Sequence, residues 1–223
     1  MIEVTRTEDV FVLTMVAEEN RFNPTMLDAF DNALSEVEAS EGPAAVVLTG
    51  QDKFFSNGLD LDWMMANAEQ GGPALVANGL QALYKRLVSF PVATIAAVNG
   101  HAFAGGGMLA LACDQIVMRT DRGFFCLPEV DINIPFTNGM AQLVQAKLSA
   151  SAAYEAMLTG RRFSAEEALA AGFVAEAVPE AEVVPAAIAR AQALASKDRN
   201  TVSTIKQRMY PGVIEALSET VDF

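Results

Sequence analysis

Cysteine, histidine and tryptophan are scarce: two, one and one in 223 residues. Cys113 and Cys126 lie in apolar runs without the paired spacing of a zinc site, so buried reduced thiols are expected and no metal centre. His101 has no serine or cysteine beside it in a nucleophile motif, so it is expected to be packed or on the surface. Positive charge is short as well. Fifteen Lys and Arg stand against 28 Asp and Glu, a net charge of -13, which repels nucleic acid and anionic membrane surfaces. No apolar run approaches the roughly 18 residues of a spanning helix. The opening MIEVTRTEDV lacks the basic region and apolar core of a signal peptide. These absences lead to the expectation of a soluble cytoplasmic protein with no nucleic-acid partner and no membrane insertion.

What the chain does have is core-forming material: 52% of its residues are hydrophobic, and they fall into alternating strand and helix patterns. Val10–Met15, Ala44–Thr49, Pro91–Val98 and Gln115–Met118 read as buried strands, with Phe124–Leu127 and Phe173–Val178 as shorter extended pieces. Asn23-Pro24 reads as N-cap and first residue of a helix reaching about Val37. Further helices are expected at Leu61–Asn67, Pro73–Ser89, Met108–Ala112, Glu180–Ala195 and Thr201–Leu217, and the chain is helical from Gly139 onward. Ser164-Ala-Glu-Glu167 is a capping box, and Gly172 is placed to close the helix it opens. The alternation predicts an α/β fold with mainly parallel strands, an α/β core over 1–196 and a C-terminal helical region over 197–223.

Two of the strands run into glycine-bearing loops followed by helices: Ser56-Asn57-Gly58-Leu59-Asp60 and Gly105-Gly106-Gly107. Such glycines permit a tight turn and close packing of helix on strand. They also expose backbone amides at a helix N-terminus, where an anion or a developing negative charge can be held. Phosphate-loop and dinucleotide patterns are excluded, since no Gly-Lys-Ser/Thr follows and the acidic residue about 20 positions on is missing.

Three segments in order, FFSNGLDL at 54–61, PVATIAAVNGHAFAGGGMLALACD at 91–114 and FFCLPEVDI at 124–132, resemble the enoyl-CoA hydratase/isomerase (crotonase) family. Weaker similarity continues through LTGRRFSAEEALAAGFV at 158–174. The resemblance implies a spiral of ββα units, assembly as a homotrimer or hexamer, and an acyl-CoA thioester substrate with no separate cofactor. It implies that the N–H groups of Leu59 and Gly106 polarise the thioester oxygen, with Ser56, Asn57, Gly58, Asp60 and Gly105 around the bound acyl-CoA. Hydratases of this family use two glutamates. The second corresponds to Glu129, whereas the first falls on Leu109, a pattern similar to the Δ3,Δ2-enoyl-CoA isomerases with their single proton-shuttling glutamate.

The expected reaction is therefore conversion of a 3-enoyl-CoA to the 2-trans isomer. The alternatives are a hydratase, another acyl-CoA enzyme of this type (hydrolase, decarboxylase), or a non-catalytic acyl-CoA-binding protein. The apolar chain neighbours Leu127, Pro128, Val130 and Ile132 are expected to raise the pKa of Glu129. Asp131 and Asp114 are read as structural, and Asp60 as a helix cap. Lys53, Lys85, Arg86 and Lys206 are candidate cations for the coenzyme A phosphates, and Trp63, Met64 and Met65 for an acyl tunnel or core packing. The resemblance departs at Asn133, where relatives commonly have glycine, and at Asn138-Gly139.

Overall fold

The architecture follows from which strands carry alternating and which carry unbroken apolar side chains. In a computed structural model describing residues 1–222, β1 (Ile2–Thr7) and β2 (Val10–Met15) form an antiparallel hairpin. Phe223, the end of the expected C-terminal region, lies outside the described residues. From β2 onward the large sheet is parallel. β3 (Ala45–Gly50), β5 (Ala93–Val98), β7 (Gln115–Arg119) and β9 (Glu176–Val178) follow in the order β1-β2-β3-β5-β7-β9. Its central strands are covered on both faces. Val46, Leu48, Ala96 and Val98 point into the main core, while Ala45, Val47, Ile95 and Ala97 point to a second core under α8 (Glu180–Leu194). Strands buried on both sides need continuous β-branched or small apolar runs, which explains why these segments were readable.

A second, smaller parallel sheet consists of β4 (Phe54–Ser56), β6 (His101–Phe103) and β8 (Phe125–Cys126), in that order. Successive turns of the chain therefore place one strand in each sheet: β3 then β4, β5 then β6, β7 then β8. This is the expected spiral. α1 (Pro24–Ala39) and α3 (Gly72–Val88) pack on the main core, with Asn23 accepting the Met26 N–H at 3.1 Å as the expected N-cap. Between them lies α2 (Leu61–Ala66). Among the described residues no helix is long and apolar enough to cross a membrane.

Several boundaries differ from the sequence reading. β1 was not expected, because Ile2 and Val4 are its only apolar residues at strand period and its other face is exposed. The helix expected to start at Met108 starts three residues earlier, as α4 (Gly105–Ala112), so the glycines are its first turn and not a loop before it. The extended piece at Phe173 shortens to β9, preceded by Gly172 at φ +84, the predicted helix-closing position. α5 (Asn138–Lys147), α6 (Ala150–Thr159) and α7 (Ala165–Ala170) fill the helical stretch, and α7 opens on the Ser164–Glu167 capping box with both bonds formed. The single helix expected over Thr201–Leu217 is two, α9 (Arg199–Met209) and α10 (Pro211–Ala216), because Pro211 cannot continue a helix. From α10 and just beyond it, Val213 and Leu217 enter the main core.

Candidate active site

The first glycine loop is held by side chains. Asn20, buried and at φ +50, donates its amide to the carbonyls of Phe54 and Phe55 at 3.1 Å each. Ser56 is wholly buried: its hydroxyl donates to the Asn20 carbonyl at 2.7 Å and accepts the Gly58 N–H at 3.2 Å. Asn57 donates from its side chain to Glu19 at 2.8 Å. Gly58 takes φ +81, a conformation that needs glycine, and a Cβ there would lie 2.9 Å from Ala104 Cβ. Asp60 is the N-cap of α2 as expected, accepting the Trp63 N–H at 3.0 Å and the Asn23 side-chain amide at 2.9 Å.

The second loop is held by close packing. A Cβ on Gly106 would sit 2.3 Å from the Ser56 carbonyl oxygen and 2.7 Å from Ser56 Cβ, so only glycine lets α4 begin against the first loop. A Cβ on Gly58 would be 3.1 Å from the Gly105 nitrogen, so the two loops are in contact. Ala104 turns the chain into α4 at φ +49. The Leu59 N–H and the first-turn N–H groups of Gly105, Gly106 and Gly107 donate to no acceptor among the described residues. Free amides at a helix start suit a developing oxyanion.

Glu129 arrives from a third direction. The extended piece expected over Phe124–Leu127 stops short of it, and Pro128–Val130 is a 3-10 turn. The turn is closed by Asp131 N–H and Ile132 N–H donating to the Pro128 carbonyl and by Ile134 N–H donating to the Glu129 carbonyl. Asn133 supplies the left-handed residue of this turn at φ +56, a conformation that asparagine tolerates better than most residues other than glycine. Glu129 is 6% exposed, and its Oε2 has no hydrogen-bond partner among the described residues.

Burial pushes this carboxyl up to about 7. The expected chain neighbours share in this burial: Leu127 is wholly buried, and Pro128 and Ile132 line a cavity of about 110 Å³ together with Glu129. Residues distant in the chain complete that lining, among them Asn57, Leu59, Phe103, Ala104 and Ile134. Glu129 is the only ionisable residue in that lining. A larger hollow of about 450 Å³ shares Glu129 and Ile134 and continues past Phe136 to Met157 and Leu158.

Leu109, where a second acid would stand, is wholly buried in the core. Asp131 lies against Gly160 and does not share the cavity. Asp60 lines a separate polar hollow with Asn23 and Arg21. Lys206 is withdrawn as a phosphate-binding cation: it is buried, 2.6 Å from Asp114 Oδ2, with Nζ donating to the Val92 carbonyl. Arg86 is engaged by Asp31 and Glu38. Trp63 and Met64 pack on the core, whereas Met65 is 73% exposed. His101 packs among Phe54, Phe103 and Phe124, and both cysteines are buried.

Sequence reasoning missed Asn20 and Tyr84. The Tyr84 side chain is wholly buried, and its hydroxyl donates to the Gly105 carbonyl at 2.7 Å. A hydroxyl within the leucine stripe of α3 is the signal that could have found it.

The family model for enoyl-CoA hydratase/isomerase matches residues 5–223. Enoyl-CoA delta isomerase 3 of Arabidopsis thaliana is 34% identical over 100% of this chain and 97% of its own length. The peroxisomal enoyl-CoA delta isomerase 2 of the same plant is 33% identical over 95% of this chain and 92% of its own. Among solved structures, an enoyl-CoA hydratase/isomerase family protein from Pseudomonas syringae superposes with a TM-score of 0.91 at 28% identity, covering 98% of this chain and 94% of the other. An enoyl-CoA isomerase from Mycobacterium tuberculosis gives 0.89 at 26% identity over 97% and 93%. With its two-sheet spiral, its paired glycine loops and these likenesses over nearly the whole length, the chain belongs to the enoyl-CoA hydratase/isomerase family and has the crotonase-like fold.

Proposed function

We propose that this protein is an enoyl-CoA isomerase that moves a 3,4 double bond of an acyl-CoA thioester to the 2-trans position. The observation that carries the reading is Glu129: a buried carboxylate whose Oε2 has no hydrogen-bond partner among the described residues, and the one ionisable group lining its cavity. Its raised pKa places it near neutrality, where a general base is half-deprotonated and able both to take and to return a proton.

The steps balance without any other reactant. The Glu129 carboxylate removes a proton from C2, and the electrons of that C–H bond move into the thioester as a dienolate. The N–H groups of Leu59 and Gly106 stabilise the oxygen that takes the charge; one such donor is worth roughly 10²–10³ in rate. Glu129, now protonated, gives the proton back at C4, and the double bond comes to rest between C2 and C3. Nothing is oxidised or reduced, no water enters, and no cofactor is called for. Asn57 and Gly58 hold the first amide in place, and Ser56, Gly105 and the Asp60 cap fix the two loops behind it. The hollow beyond Phe136 suits the acyl tail.

Hydration needs a second acid to orient water. Leu109 in the core supplies none, which favours the isomerase over the hydratase, and the delta-isomerase names of the two plant relatives point the same way. The exposed apolar side chains Val130, Ile132, Tyr154 and Leu158 support self-association as a trimer or hexamer, to be measured by light scattering. The decisive experiment supplies a 3-enoyl-CoA and follows the ultraviolet absorbance of the conjugated thioester. Formation of the 2-trans product supports the reading. Conversion of 2-enoyl-CoA to a 3-hydroxyacyl-CoA, with no reaction of the 3-enoyl substrate, replaces it with the hydratase.

A further inference from the structure

The first turn of α4 presents a free amide at Gly106 but has little of its own to hold it. Ala104 caps the helix with no side-chain hydrogen bond, and three consecutive glycines form the softest backbone available. What anchors it from outside is Tyr84. The Tyr84 hydroxyl donates to the Gly105 carbonyl at 2.7 Å, from a side chain with no solvent exposure. The Gly105 carbonyl and the Gly106 N–H belong to one peptide group. No peptide bond among the described residues is cis, so this carbonyl and this N–H point in opposite directions.

We propose that Tyr84 is a positioning residue for the oxyanion site: by hydrogen-bonding the Gly105 carbonyl it fixes the Gly105–Gly106 peptide plane and strengthens the Gly106 N–H as a donor. The inference rests on the isomerase reading and adds to it a residue that never touches substrate. Two physical effects operate. Donation to a carbonyl draws electron density through the amide and makes its N–H more positive, the cooperativity of linked hydrogen bonds. Anchoring the plane also removes reorganisation at the moment charge develops on the thioester oxygen. Gly105 now has a reason of its own to be glycine, because a Cβ there would stand 3.1 Å from the Tyr84 hydroxyl oxygen. Burial, with the nearby Glu129 carboxylate adding to it, raises the phenol well above its ordinary pKa, so the hydroxyl keeps its proton and remains a donor at every working pH.

The test is Tyr84→Phe, which keeps the ring in the core and deletes only the hydroxyl. With a 3-enoyl-CoA substrate, kcat is expected to fall roughly tenfold, the size of one ordinary hydrogen bond, with KM changed less than twofold. The second readout is spectroscopic. Bound 2,4-hexadienoyl-CoA should absorb at longer wavelength on the wild-type protein, because its carbonyl is polarised, and this red shift should shrink on the variant. A variant that melts normally and retains both kcat and the red shift overturns the proposal and leaves the isomerase reading intact. A wild-type protein that neither isomerises the 3-enoyl substrate nor shifts the dienoyl spectrum overturns the reading, and the proposal with it. Should the variant fail to fold, 3-fluorotyrosine at position 84 serves: its stronger donor should enlarge the red shift, and a spectrum without that enlargement overturns the proposal.

Discussion

Two regions of this molecule bury ionisable side chains on opposite terms. At the foot of the large sheet, Lys206 of α9 reaches in to Asp114 at 2.6 Å and donates to the Val92 carbonyl at 2.9 Å, while Asp114 also accepts the Thr94 N–H at 2.8 Å. Every charge there has a partner. In the cavity between the glycine loops and the 3-10 turn, Glu129 has an oxygen with no hydrogen-bond partner among the described residues. Burial lowers the pKa of Lys206, with Asp114 pulling it back up, whereas nothing charged compensates for the burial of Glu129 and its carboxyl rises to about 7. The pair ties the C-terminal helices to the sheet. The lone acid costs stability when charged and is thereby left free to exchange a proton with something else.

The sharpest way to break the contrast is Glu129→Gln. Isomerase turnover is expected to fall by roughly 10²–10⁴, the range of a positioned general base, with the fold intact by circular dichroism. Turnover that survives this change would leave Glu129 no role in the chemistry. The reciprocal experiment is Lys206→Met, which takes from Asp114 its ion-pair partner. Urea unfolding should show a loss of about 3 kcal/mol, with turnover per folded molecule preserved; adding Asp114→Asn should recover part of the stability. If Lys206→Met instead lowered turnover at unchanged stability, the distinction between the two regions would be lost.

Acidity separates the regions more finely. The folded-state pKa of Glu129 lies above its ordinary value of 4.5, so the folded protein holds the proton more tightly than the unfolded one. Its contribution to stability is complete below about 4.5 and is lost as pH rises through about 7. The loss is on the order of 3–4 kcal/mol, at about 1.4 kcal/mol for each tenfold change in proton affinity. Comparing urea midpoints of wild type and Glu129→Gln from pH 4.5 to 8 should isolate that slope, and kcat/KM should climb over the same interval as the base is deprotonated. The smallest effect belongs to the turn that carries the acid. Asn133→Gly should be nearly neutral in thermal melts, whereas Asn133→Ala, forced to φ +56, should cost about 1 kcal/mol.

How much of this was legible in the chain depends on the range of the forces involved. The Asn23 cap, the Ser164–Glu167 capping box and the buried runs of β3 and β5 were readable because their determinants lie within a few residues of one another. Of the three short strands of the small sheet, only Phe125–Cys126 fell within an expected extended piece. Phe54–Ser56 and His101–Phe103 carry no period long enough to read, and they are strands because they pair with one another and with the third. The glycine loops and the Pro-Glu pair could be picked out by resemblance. That Ser56 and Asn20 spend their polar groups on the first loop, and that Lys206 is internal, could not.

Composition and local pattern by themselves settled an acidic α/β chain with buried parallel strands, glycine at two helix starts and a glutamate after Pro128, because charge balance, periodicity and caps are properties of neighbouring residues. The burial of that glutamate, the meeting of the two loops and the contact of Tyr84 with the Gly105 carbonyl were decided only by tertiary structure. Desolvation and hydrogen-bond geometry depend on atoms that stand far apart in the chain until the two sheets form and bring them together.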